Sequence, residues 1–324
     1  MNPCRLLSLP AACLLAAAVA GAQPSGPDGN IPLPAPQLEQ RLLVEPFQVV
    51  EVGKTSGGMM TTEKLTLLFP NDGMRIKAKW KAAPTGGEGW NNYPRREIGA
   101  YAVQQLFLDP DDYVVPPSVA RCIPLADYEP IQAKATPNIP HTRCVLGTLS
   151  AWLSNVEEPK ETYDVERFTR DPRFARLFGN LNILTYLIAH RDRRPSNFLI
   201  STDELNPQMF SVDNGIAFGD LLFNYLNWQF DNIVIGSLPA AAVARLRAVT
   251  PERLAQLEVL EDLQPDADGI LRASSTTTPV DPKHGERADG KGIQIGLTTA
   301  EIKDLAQRIH DLLAKVDSGK LTVF

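Results

Sequence analysis

Three polar side chains at fixed spacing offer chemistry within residues 190–219. Asp192 and Asn197 stand five positions apart, and Asp213 follows a short apolar run and precedes Asn214-Gly215. An aspartate can take the proton of an acceptor hydroxyl, while an amide and a second carboxylate can hold a divalent cation on phosphate oxygens. Groups in this order suit phosphoryl transfer, where catalysis is mostly positioning and charge neutralisation. Each also has a plain alternative: Asp192 beside Arg193 as a surface ion pair, and Asp213-Asn214-Gly215 as a hairpin turn.

Such a site needs cations for the phosphates and elements to carry them. Upstream, alternating or β-branched runs at 47–52, 64–69 and 74–81 predict three antiparallel strands, the last two joined across Pro70-Asn71-Asp72-Gly73. Strand side chains alternate, so Lys77, Lys79 and Lys81 share one face and Ile76, Ala78 and Trp80 the other. That lysine face is either solvated or turned to an anion. Between the first two strands, Gly57 and Gly58 could bring bare backbone amides to phosphates, or could simply make a turn. A Walker loop at Gly53-Lys54-Thr55 fails, because Gln48 stands where its first glycine belongs.

Residues 94–108 have helical periodicity with Pro94 near the start and Glu97 in the first turn. Glu97 can favour the helix dipole or pair with a lysine of the preceding strand. Two further strands are expected at 118–125 and 142–146, carrying Cys122 and Cys144, and helical patterning starts from Ser150. Phe174, Leu177, Phe178, Leu181, Leu184 and Ile188 give a buried helical face that runs into His190. Short strands at 197–200 and 209–212 then bring the chain to Asp213. Helices follow at 239–248, at 251–260 with Thr250 as N-cap, and at 300–316 with Thr298 and Glu301 as a capping box. The stretch 264–292, polar and without periodicity, predicts a long flexible insertion.

The ends and the composition set the compartment and exclude some partners. Residues 1–22 carry Arg5, an apolar run and Ala20-Gly21-Ala22, the pattern of a signal peptide cleaved before Gln23. The run is shorter than the roughly 20 apolar residues a membrane span needs. An exported protein, periplasmic or secreted and without a membrane span once mature, is therefore expected. Residues 23–40, rich in Pro and Gly, predict an extended linker. The mature chain would keep Cys122 and Cys144, as one disulfide or as two buried thiols. A formal net charge of −6 without a basic run argues against nucleic acid as a partner. The four histidines are scattered, and no zinc-ligand spacing occurs.

Several separated motifs resemble one family. HRDRRPSN at 190–197 matches the spacing of a kinase catalytic loop, and VDNG at 212–215 stands where Asp-Phe-Gly is usual. With RREIGAYAVQQLFLDPDDYVVPPSVAR at 95–121 and LTLLFPNDG at 65–73, the chain resembles the secretory-pathway kinases of the Golgi casein kinase and four-jointed type, over roughly 47–250. The resemblance implies an α+β, two-lobed atypical protein-kinase-like fold: a small antiparallel-sheet lobe at 41–149 and a larger, mainly helical lobe at 150–324. It implies Asp192 as catalytic aspartate, and Asp213 and Asn197 as ligands of Mg²⁺ or Mn²⁺. Glu97 would hold the nucleotide lysine, for which Lys81, in Trp80-Lys81-Ala82, fits best and Lys79 next. ATP and a hydroxyl-bearing acceptor follow as substrates. The rival functions are a nucleotide-binding pseudokinase that serves a partner as scaffold or activator, and adenylyl transfer on the same fold.

Overall fold

The computed structural model of the chain describes residues 29–55, 62–87, 93–160, 163–190, 195–203, 207–219, 232–288 and 292–324. The expected signal peptide lies outside the described residues. The expected linker is corrected at its far end: helix α1 spans Ala35–Val44, with Leu38 and Leu42 fully buried. Their four-residue spacing gives the helix an apolar face, and Pro36 sits in the first turn, where no backbone donor is missed. Ahead of α1, the Asn30 amide donates to Ser154 O (3.0 Å), Asn155 O (3.1 Å) and Ser201 Oγ (3.3 Å).

Strands β1 (Gln48–Lys54), β2 (Glu63–Phe69) and β3 (Met74–Ala82) are antiparallel neighbours. At the β2–β3 turn Gly73 takes φ 73°, which a glycine adopts without strain, while Asp72 Oδ1 accepts from Met74 N (3.0 Å). Helix α2 (Pro94–Gln104) comes next, then β4 (Ser118–Pro124), the short α3 (Leu125–Tyr128) and β5 (Cys144–Ala151). β5 inserts between β3 and β4, so the sheet runs β1-β2-β3-β5-β4 and is antiparallel throughout. β5 continues to Ala151, past Ser150 where helix was expected, because as an inner strand it is buried along its whole length. Leu65, Leu67, Ile76, Ala78 and Trp80 pack into the core from one sheet face, leaving the lysines on the other. Cys122 and Cys144 form a disulfide between β4 and β5, with Cα atoms 5.4 Å apart.

The chain then crosses to β6 (Val156–Glu157), α4 (Val165–Arg170) and α5 (Pro172–Leu187). Asp171 starts α5 by accepting from Arg173 N (3.0 Å) and Phe174 N (3.1 Å), with Pro172 at the first helical position. Phe174, Leu177, Phe178, Leu181 and Leu184 are buried as the periodicity predicts. β7 (Phe198–Ser201) and β8 (Met209–Ser211) pair antiparallel in a sheet of order β6-β7-β8.

The remainder holds β9 (Ser237–Leu238), α6 (Ala240–Arg247), α7 (Pro251–Ala255), β10 (Glu261–Pro265), β11 (Leu271–Ser274), β12 (Glu286–Ala288), β13 (Ile293–Ile295), α8 (Thr299–Asp317) and β14 (Thr322–Val323). Thr250 caps α7 through Arg253 N (3.2 Å), and Thr298 and Glu301 form the capping box of α8. The expected insertion at 264–292 is corrected, because β10 to β13 build a four-stranded sheet of order β11-β10-β13-β12. Its first hairpin is set by Asp266, whose Oδ1 accepts from Asp268 N (2.9 Å) and Ile270 N (3.0 Å), with Gly269 at φ 75°. Leu263, Ile270, Leu271, Ile293 and Ile295 join Cys122 and Cys144 in a second apolar cluster. Glu261 closes the free edge of β4: both its oxygens accept Ala120 N–H, at 2.9 and 3.0 Å.

The architecture is thus mixed α and β with antiparallel sheets. Among the described residues no helix is long and apolar enough to cross a membrane.

Candidate functional site

The site forms where the lysine face of β3 meets the first turn of α2 and the segment after β8. Lys79 Nζ lies 3.4 Å from Asp213 Oδ1, and Lys81 Nζ lies 3.6 Å from the same oxygen. Lys77, two residues back on the same face, is exposed. Lys81 is the more enclosed of the pair, its side chain 8% exposed against 25% for Lys79. Asp213 stays accessible, its side chain 39% exposed.

Glu97, on α2, is 6% exposed, and its Oε2 accepts the backbone N–H of Asn214 (2.9 Å). Its Oε1 is buried and has no hydrogen-bond partner among the described residues. A Cβ placed on Gly215 would stand 3.4 Å from Lys81 Nζ and 3.6 Å from Glu97 Oε1, so the glycine lies between the two charges. Burial pushes the Glu97 carboxyl up, against the pull of Lys79 and then Lys81, and nearby Asp213 adds to the rise. Burial works against the charge on Lys79, but the Glu97 and Asp213 carboxylates outweigh it and hold the ammonium above its ordinary value.

The backbone of the segment is strained, and a hydrogen bond holds it in place. Asp213 itself has φ 60°, in the left-handed region that an aspartate tolerates better than most residues. Ala189 (φ 48°) and Phe218 (φ 57°) are left-handed too, and Phe218 N donates to Ile188 O (2.7 Å), which fastens the segment to the end of α5. Val212 N donates to Asn197 O (2.9 Å), so buried Asn197 sits one strand pairing away from Asp213. The geometry therefore brings together Lys79, Lys81, Glu97, Asp213 and the Asn197 backbone. Asp192, Gly57 and Gly58 lie outside the described residues.

Asn214 is a member that the spacing does not announce. Its Oδ1 accepts from Ser211 Oγ (2.8 Å) and its Nδ2 donates to Ser211 O (3.3 Å), so the side chain folds onto the end of β8 while its amide serves Glu97. The only signal is Ser211 three residues before an Asx residue in a turn.

A cavity of about 170 Å³ lies elsewhere, behind α2, lined among others by Glu39, Tyr101, Gln105 and Glu261 and by none of the clustered charges. Burial lifts the Glu261 carboxyl to about 8, opposed by its bond from Ala120 N–H and reinforced by Glu39.

The cluster can hold an anion on two ammoniums while keeping a carboxylate open to solvent. As a cation site it is lean: among the described residues no group of three or more His, Cys, Asp or Glu side chains gathers. A hard divalent ion that keeps phosphate oxygens as ligands needs only one or two protein donors, and the oxygen donors of Asp213 and Asn197 suit it. No protein-family model and no curated protein matches the chain.

Proposed function

We propose that the chain is an exported, metal-dependent kinase on a two-lobed kinase-like fold, related to the secretory-pathway kinases that its motifs resemble. It moves the γ-phosphoryl group of ATP to a hydroxyl of a protein, glycan or small molecule. The observation that carries this reading is the convergence of Lys79 and Lys81 from β3, Glu97 from α2 and Asp213 from beyond β8. A surface ion pair would not need a buried Glu97 with one oxygen lacking a hydrogen-bond partner among the described residues. The disulfide supports export, since such bonds persist in oxidising compartments.

In this reading Lys79 and Lys81 bind phosphate oxygens, and Glu97 fixes the lysines and the Asn214 backbone in one geometry. Asp213 and Asn197 would hold Mg²⁺ or Mn²⁺, whose charge would offset that of the phosphates. Asp192 orients the acceptor hydroxyl and takes its proton as that oxygen bonds to phosphorus and the bond to ADP breaks. Gly57 and Gly58, outside the described residues, would offer backbone amides to the phosphates if their loop is a flap rather than a turn.

A second reading, a nucleotide-binding pseudokinase that acts on a partner, is favoured by one feature: both lysines stand against Asp213, the carboxylate a cation would use. Three measurements decide. Mg²⁺-ATP or Mn²⁺-ATP should raise the melting temperature of the wild type and not of Asp213→Ala; equal behaviour of the two removes the nucleotide site. Asp192→Asn should keep that shift and lose turnover by a factor on the order of 10² or more. Mass spectrometry after incubation with ATP separates added phosphate from added AMP, and an unmodified product with intact binding selects the pseudokinase.

A further inference from the structure

The C-terminal helix reaches the site through its own N-cap. Glu301, in the first turn of α8, pairs with Arg95 through Oε2 (2.5 Å) and with Arg96 through Oε1 (3.4 Å). The side chains are 10, 6 and 13% exposed in that order, so the three charges are held largely out of water. Arg95 and Arg96 immediately precede Glu97 in α2. The Arg96 guanidinium lies 4.3 Å over the Tyr93 ring, and its Nη1 stands 3.0 Å from where a Cβ of Gly219 would be, at the far end of the Asp213 segment. Glu301 Oε2 meanwhile accepts Thr298 N–H (2.9 Å) to complete the cap of α8.

One carboxylate therefore ties the start of α8 to the start of α2, and through Arg96 to the 213–219 segment. We propose that Glu301 is a positioning residue: it fixes the rotation of α2 so that Glu97 meets the Asn214 amide and the two lysines. A desolvated ion pair of this kind contributes geometry more reliably than net stability, because partners taken out of water must satisfy one another. The helix packed behind the site is thereby part of the site, although it supplies no side chain to the charge cluster.

The proposal rests on the nucleotide reading only for its functional consequence, and the test separates the two. Glu301→Gln keeps a capping box, which accepts Gln as well as Glu at this position, but loses the charge that pairs with Arg95 and Arg96. Arg96→Gln leaves α8 untouched. Thr298→Ala weakens the cap and keeps the carboxylate. Hydrogen exchange of the Asn214 amide, read on a peptide spanning 211–219, should quicken in Glu301→Gln and Arg96→Gln and stay slow in Thr298→Ala. Calorimetric titration with Mg²⁺-ATP should show affinity falling on the order of 10-fold in the first two variants and holding in the third. Thr298→Ala should instead lower the melting temperature, by roughly 1 to 3 °C. Unchanged exchange at Asn214 in both Glu301→Gln and Arg96→Gln overturns the proposal. Quickened exchange in a protein whose wild type binds no nucleotide upholds the joint and removes the nucleotide reading alone.

Discussion

Two ammoniums meeting one carboxylate leave their division of labour to the surroundings of each. Lys81 is enclosed beside Glu97 and Gly215, whereas Lys79 is more open to solvent. A charge-assisted bond made in the enclosed position should contribute more, so Lys81→Met should weaken Mg²⁺-ATP binding on the order of 10-fold or more. Lys79→Met should weaken it by a factor of about 3 or less, since the half-buried Lys79 ammonium is partly screened by water. Isothermal titration calorimetry ranks the two, and a larger loss in Lys79→Met would reverse the assignment. The placement of these lysines was legible because strand alternation needs only a period of two. Their meeting with Glu97 stood as one of two alternatives, and a place for Asp213 beside them came only from the resemblance to kinases. The Asn214 contacts were not legible, since they depend on a left-handed Asp213 and a return to Ser211 that no periodicity encodes.

Elements with a buried face or a cap signal were readable, from the long α5 down to the short β7 and β8, and the short strands of the C-terminal sheet were not. α5 and α8 were announced by apolar spacing and by a capping box, whereas β10 to β13 span three to five residues each and bury apolar side chains contributed from both sides of a polar stretch. Their sheet brings Glu261 to the unpaired edge of β4, a backbone demand that composition cannot express. This edge contact predicts a pH dependence. Burial raises the Glu261 carboxyl from 4.5 to about 8, so the folded chain keeps a proton that the unfolded chain releases. The resulting stabilisation is complete below about pH 4.5 and is lost as pH rises toward about 8. Glu261→Gln, which can still accept Ala120 N–H, lacks this slope. Its melting temperature relative to wild type should climb between about pH 5 and about pH 8. A constant difference across that range would mean that Glu261 is ionised in the folded protein.

Across the whole molecule, the disulfide and the leading segment hold together parts that are distant in sequence. Cys122–Cys144 closes a loop with a separation of 22 residues and braces the strands to which the C-terminal sheet packs. Opening a loop of this size costs about 3 kcal/mol through the freedom returned to the unfolded chain. The paired substitution Cys122→Ser with Cys144→Ser should therefore lower the melting temperature by about 5 °C, as calorimetry would read, and an unchanged value would show that packing alone sets the pairing of β4 and β5. The leading segment acts on a different joint. Asn30 grips two carbonyls of the crossover between the five-stranded sheet and the helices, and reaches a hydroxyl on β7 beyond it. Force applied at residue 29 would load that crossover first. From Asn30 on, the stretch read from its composition as an extended linker is a strap across that crossover, and tension on it should be carried by three side-chain hydrogen bonds before it reaches α1.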